Sequence, residues 1–235
     1  MEQRDISPVH VSNETELNNA INKAKADKPV TIILDNDIYL SSTLVIDGGK
    51  DIRLTSNSET EFFRIYGINE RSTIRIDIYS VLRIDGIGVT HVDGAYGVGV
   101  YVQAGAGLIM YDGEIFGNRH TNVENSYGGG VSVMGSFEMH GGKIYNNSAG
   151  NGGGVNVHGI FAMTNGEITG NTAENGGGVH NTGTFTMLGG TITGNTAENG
   201  GGVHTIIYYE GPVFDRQGGE IMGNTAKNGA DVYEK

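Results

Sequence analysis

Residues 151–199 read NGGGVNVHGIFAMTNGEITGNTAENGGGVHNTGTFTMLGGTITGNTAEN, a 24-residue unit written twice in succession. Gly152-Gly153-Gly154-Val155 returns as Gly176-Gly177-Gly178-Val179 and again as Gly200-Gly201-Gly202-Val203, with Gly128-Gly129-Gly130-Val131 ahead of them at the same spacing. A fixed period of this size means a repeat architecture, in which each unit buries its apolar face only against its neighbours.

Three short apolar alternations fall within each unit: Val155 with Val157, Phe161 with Met163, and Ile168 leading into Gly170-Asn171. Alternation of period two, bounded by Gly and Asn, predicts short strands joined by turns. Glycine at this density excludes helix, since each costs about 1 kcal/mol in a helical position. The expected fold is all-β: a right-handed parallel β-helix with three short strands per 24-residue coil. Successive coils would lie about 4.8 Å apart. Val, Phe, Met and Ile would fill the interior.

Asn147, Asn171 and Asn195 recur at the same period, and Asn118 and Asn224 join the register if two five-residue insertions are allowed. A side-chain amide can donate and accept at once, so these five predict a structural ladder that satisfies buried polar groups. Gly113, Gly142, Gly166, Gly190 and Gly219 mark a turn where positive φ is expected. Glu114, Lys143, Glu167, Thr191 and Glu220 share an outward slot and read as a solvated face.

The whole chain, 1–235, reads as one solenoid domain. Residues 1–29 hold an N-terminal segment and a cap helix. Asn13 and Glu16 open that helix as a capping box, Leu17, Ala20, Ile21 and Ala24 form its apolar stripe, and Pro29 limits it, giving 13–28. Residues 30–92 read as irregular coils and 93–235 as regular Gly/Asn-rich ones, because only 5 of the 40 glycines precede residue 91.

A net charge of −12 without a basic cluster argues against nucleic acid and against an anionic membrane surface. The chain lacks cysteine, so thiolate chemistry and disulfides are excluded, and no apolar run is long enough to insert directly into a membrane. The polar start after Met1 suggests either a cytosolic protein or a piece excised from a longer one, and the abrupt finish at Tyr233-Glu234-Lys235 favours the second.

Candidate ligand-binding residues come from the two insertions, since long loops on a rigid scaffold often carry function. The first offers Arg119, His120 and Tyr127, and the second offers Tyr208 and Tyr209 as exposed aromatics. The bland alternative is that insertions on solenoid turns cost little. His180 and His204 occupy equivalent outward slots and could start a metal site, but Asn156 and Ser132 precede them and no third ligand is apparent. Ring stacking about 5 Å apart is therefore the preferred reading, with no metal and no cofactor expected. The glycine triplets precede strands rather than a helix, so they do not read as phosphate loops. No nucleophilic triad or chosen carboxylate pair emerges, and the outward threonine ladder through Thr186 and Thr193 breaks at Glu138 and Tyr145.

Gly-Gly-Gly-Val followed by Ile-x-x-Asn (ending at Asn147, Asn171, Asn195 and Asn224) resembles the repeats of chlamydial polymorphic outer membrane proteins. It is still more similar to surface repeat proteins of gut bacteria. The stretch VTIILDNDIYLSSTLVI, after the helix, resembles the opening of pectate-lyase-like β-helix modules. The resemblance implies a bacterial, extracellular or cell-surface, adhesin-like module without catalysis, its secretion signal and anchor lying outside this piece. It would display, space or bind a host or cell-wall glycan or a surface protein. The alternative is a carbohydrate-active enzyme, a lyase or hydrolase, on the same fold. The Trp-x-Asp-His and Arg-x-Pro motifs of pectate lyases and the Asn-Thr-Asp and Gly-His-Gly motifs of polygalacturonases are not found, so no catalytic residue carries over.

Overall fold

A computed structural model describes residues 7–26, 28–58, 61–68, 71–120, 126–207, 211 and 213–235. Among these residues, strands form three parallel sheets of fifteen, eight and five strands, wound into about eight stacked coils. The chain is a parallel β-helix, as its repeats predict. Register follows the 24-residue period: Val131 pairs with Val155, Val155 with Val179, and Val179 with Val203. Each insertion is absorbed without loss of register, since Val100 pairs with Val131 and Val203 with Val232.

The three predicted strands of a regular coil are present at Val155–Val157, Ile160–Met163 and Glu167–Thr169. A fourth, Thr172–Asn175, follows the ladder asparagine and builds the five-stranded sheet. Its sequence, TAEN, has no apolar alternation to announce it. Backbone pairing to the next TAEN and a second amide ladder through Asn151, Asn175, Asn199 and Asn228, at 2.8–3.0 Å, hold it instead.

The interior is a set of columns of like residues. Phe137, Phe161, Phe185 and Phe214 stack at centroid separations of 4.7, 4.7 and 5.0 Å. Val155, Val157, Met163 and Ile168 are fully buried beside them, each such side chain contributing about 1.5–3 kcal/mol. In the early coils the same places are filled by Ile32, Leu34, Ile52, Leu54, Leu82 and Ile84. All five turn glycines adopt positive φ, between 74° and 114°.

The helix is shorter than predicted, Glu14–Lys23 rather than 13–28. Asn13 Oδ1 accepts from the Glu16 N–H at 3.0 Å, and the Glu16 carboxylate accepts from the Ser12 N–H at 2.8 Å, so the cap closes one residue further out than a capping box. After Ala24 the apolar stripe runs out, and Ala24 itself turns extended (ψ 144°), which ends the helix before Pro29 is reached. Leu17, Ala20 and Ile21 are buried with Val11, Ile32 and Leu34 and close the open end of the interior.

Candidate functional site

The asparagine ladder is continuous. Asn147 Oδ1 accepts from both the N–H and the Nδ2 of Asn118 (3.0 and 2.9 Å). Asn171 does the same for Asn147, and Asn195 for Asn171. Asn224 completes it under Asn195. Each amide also donates to a core strand's carbonyl, for example Asn171 Nδ2 to Ile144 O at 3.0 Å.

The ladder has distinct ends. His91 Nδ1 meets Asn118 Oδ1 at 2.8 Å, and it is the donor there because Asn118 Nδ2 faces the Phe116 carbonyl. At the far end the Asp231 carboxylate accepts from Asn224 Nδ2 at 2.9 Å, standing where the next asparagine would be. These five asparagines are structural.

The glycine triplets serve the same end. The N–H groups of Gly153, Gly154 and Val155 donate to Gly176, Gly177 and Gly178 carbonyls at 2.9–3.1 Å, so none is left to cradle an anion. A Cβ on Gly153 would lie 2.6 Å from the Gly177 carbonyl oxygen, and one on Gly154 would lie 2.7 Å from that of Gly178. Only glycine permits coils this close. In the last coil described the corresponding residues are Ala230 and Asp231, which accept from the N–H groups of Gly202 and Val203.

Of the insertion candidates, Tyr208 and Tyr209 lie outside the described residues. Arg119 and His120 form a two-residue strand paired with Ser148 and Ala149. His120 Nδ1 lies 3.2 Å from the Tyr127 carbonyl, which draws two ends of the first insertion together. Burial pushes the His120 pKa below its usual value. Tyr127 is 37% exposed and packs edge-on against His158, with centroids 5.2 Å apart. Arg119, His120 and Tyr127 thus share one rim of the solenoid.

A second group was not anticipated. On the outer face of the long sheet a cavity of about 640 Å³ is lined by Asp51, Arg53, Arg83, Asp85, Tyr111 and the Pro29–Thr31 segment. Arg53 and Arg83 lie directly opposite one another, an arrangement that repels unless acids intervene. Each is held diagonally: Arg83 makes a bidentate pair with Asp51 at 2.8 Å for both bonds, and Arg53 pairs with Asp85. Arg83 also donates to the Tyr111 hydroxyl at 3.2 Å. The bonds to Asp51 raise the Arg83 pKa further. The signal was legible in principle, since Arg53 and Arg83 sit at equivalent outward positions with acids two residues away. It needed the register of two irregular coils, which no repeat supplies.

Tyr79 was also missed. It is 77% exposed and holds φ +67°, between Gly49 and Gly105 of the adjoining coils, which occupy the same turn slot at positive φ. A bulky residue in that region costs about 1–3 kcal/mol and marks a place to look for function. A shallow cavity of about 480 Å³ runs from Tyr79 past Gly105, Met134 and Ile160.

His180 and His204 are neighbours with ring centroids 5.2 Å apart, but the rings are tilted by 44° rather than stacked as the sequence predicts. Although they point outward, they are only 3% and 5% exposed. Lys143 pairs with Glu167 at 3.1 Å in the outward ladder, while Glu114 accepts from the Tyr145 hydroxyl at 3.2 Å. Neither a protein-family model, a curated protein nor a solved structure matches the chain.

Proposed function

We propose that this chain is a non-catalytic, adhesin-like surface module: a stiff solenoid that carries a binding rim for a glycan or a surface protein, outside the cell. One observation carries the reading. In the regular coils the ladder asparagines and the N–H donors of the glycine triplets are already engaged between coils. Such a body is well built to hold its length and present its turns. The motif resemblance to bacterial surface repeats points the same way and supplies the extracellular placement. Arg119, His120 and Tyr127 form the described part of the rim, and Tyr208 and Tyr209 extend the candidate set.

The test is a glycan-array screen of the purified chain beside Arg119→Ala/Tyr127→Ala and Tyr208→Ala/Tyr209→Ala variants. Specific binding lost in one variant assigns the rim. Binding that survives both moves the site to a coil face, and release of sugar products from any bound polysaccharide ends the non-catalytic reading.

A carbohydrate-active enzyme is the second reading, favoured by the cavity at Asp51, Arg53, Arg83, Asp85 and Tyr111. Paired carboxylates and cations on an open sheet face suit an acidic polysaccharide. Against it, both arginines and both acids are already matched in ion pairs. Turnover of a uronic-acid polymer that disappears in Arg83→Gln would establish this reading and displace the first.

A further inference from the structure

The cavity on the long sheet crosses four successive strands. Thr31, Arg53 and Arg83 stand in one register, and Tyr111 closes the far side. Three steps between strands, of about 4.8 Å each, give it a length of about 14 Å. Its two arginines and two aspartates cancel in charge. Their ion pairs do not exhaust them. A guanidinium has five N–H donors, and the bonds of Arg83 to Asp51 and Tyr111 use three of them. Arg53 meets Asp85 through Nη2 and Oδ2 alone among the described residues, and its side chain is 49% exposed. The Tyr111 hydroxyl accepts from Arg83, so its own proton is left to donate.

The placing of Tyr111 has a backbone cause. Met110 pairs with Ile84 and Asp112 with Asp85, so Tyr111 is an extra residue with nothing opposite it in the preceding coil. Register is recovered where Glu114 pairs with Gly88. A bulge of this kind re-aims a side chain and is common beside functional sites. His140 of the following coil stacks on one face of the ring at 5.5 Å. The other side has no counterpart in the preceding coil and borders the cavity, which leaves the residue 41% exposed.

We propose that this cavity binds a short neutral oligosaccharide, with one pyranose lying on Tyr111 and its neighbours bonded to the open edges of the Arg83–Asp51 and Arg53–Asp85 pairs. The C–H face of a pyranose packs on an aromatic ring as other apolar surface does. A sugar hydroxyl donates and accepts at once, and the cavity offers both functions: N–H from both arginines, O–H from Tyr111, and carboxylate oxygen from Asp51 and Asp85. The ion pairs hold these groups in place beforehand, which lowers the cost of ordering them on a ligand. An anionic chain would meet both carboxylates and the net charge of −12, and a cation would meet both arginines. The site departs from the enzyme reading of the same cavity in taking a neutral ligand and leaving it whole. It is separate from the rim at Arg119, His120 and Tyr127 and stands whether or not the rim holds a glycan.

The experiment is isothermal titration of the chain with cellohexaose, xylohexaose, mannohexaose and maltohexaose as neutral probes, and with hexagalacturonic acid as the anionic contrast. Wild type is expected to bind at least one neutral probe, at one site per chain and more tightly than the anionic one. Tyr111→Ala should weaken that binding about tenfold, and Tyr111→Phe, which keeps the ring, only a few-fold. Asp85→Asn keeps the shape of the cavity and should weaken it about fivefold or more, with the wild-type β-sheet circular dichroism retained. Arg119→Ala/Tyr127→Ala should bind as wild type does. The proposal is overturned if no neutral probe binds, if the anionic probe binds more tightly, or if the Tyr111 and Asp85 variants bind unchanged. Binding lost in the rim variant instead would place the sugar on the rim, so that the cavity site fails and the rim reading stands. Recovery of shortened sugar after incubation would also overturn the proposal, in favour of the enzyme reading.

Discussion

In the early coils Arg53 lies opposite Arg83, and each is held by an acid next to the other. In the later coils Phe lies on Phe, Gly on Gly and Asn on Asn. Both regions wind the same backbone. The difference is what each residue meets one coil away. Where a unit repeats, a side chain faces its own kind, so the favourable residues are those that satisfy themselves. Aromatic rings stack, an amide both donates and accepts, and glycine allows close approach. A charge does none of these. Charged residues therefore gather where the repeat is broken, and the largest polar cavity described lies there.

The comparison can be broken most severely at the triplets. Gly177→Val would put a Cβ 2.6 Å from both the Gly201 and Thr196 carbonyl oxygens, neither of which can give way. We expect loss of the cooperative urea transition. Valine at exposed Ala230, the same slot of the last coil, should shift stability by no more than about 0.5 kcal/mol. If the two variants behave alike, close coil stacking is not what glycine is there for.

Next is the ladder. Asn171→Ala removes the acceptor for the N–H and Nδ2 of Asn147 and also the donors to Ile144 O and Asn195 Oδ1. At about 1–3 kcal/mol for each stranded buried group, the loss should reach about 3–5 kcal/mol in equilibrium unfolding.

Acid should act through His180 and His204. Their folded-state pKa values lie below the unfolded 6.5, so between that pH and about 3 the unfolded chain binds the protons that native His180 refuses. Stability should then fall as pH drops below 6.5, by up to about 1.4 kcal/mol per pH unit for His180 alone. His180→Asn should flatten that slope in urea titrations run at stepped pH.

The early coils should show much smaller effects. Arg83→Gln breaks a partly buried pair and should cost about 1 kcal/mol, diminishing with salt. Tyr79→Gly relieves positive-φ strain and should raise stability by up to about 1 kcal/mol. If the same change weakens a ligand, the strain is held for binding.

How much was legible follows the same division. The column residues, the ladder and its two insertions, and the positive-φ turns could be read because period and chemistry agreed at every unit. Thr172–Asn175 could not, since a strand held by backbone pairing and the amide ladder of Asn151, Asn175 and Asn199 leaves no apolar pattern. The helix end was misplaced because Pro29 is a conspicuous stop, whereas exhaustion of the stripe after Ala24 is a quiet one. Asp51, Arg53, Arg83 and Asp85 escaped because their meeting depends on the register between coils of unequal length. The buried state of His180 and His204 escaped for another reason: an outward slot on a solenoid face gives no local sign of what lies over it.

The most direct test is amide hydrogen exchange at single-residue resolution across the repeats. If the triplets and asparagines serve coil registry, the N–H groups of Gly153, Gly154, Asn147 and Asn171 should exchange only through global opening, among the slowest in the chain. If the triplet amides exchange as fast as solvent-exposed amides without a hydrogen bond, they are free donors. The glycines would then be a ligand cradle and the registry account would be wrong.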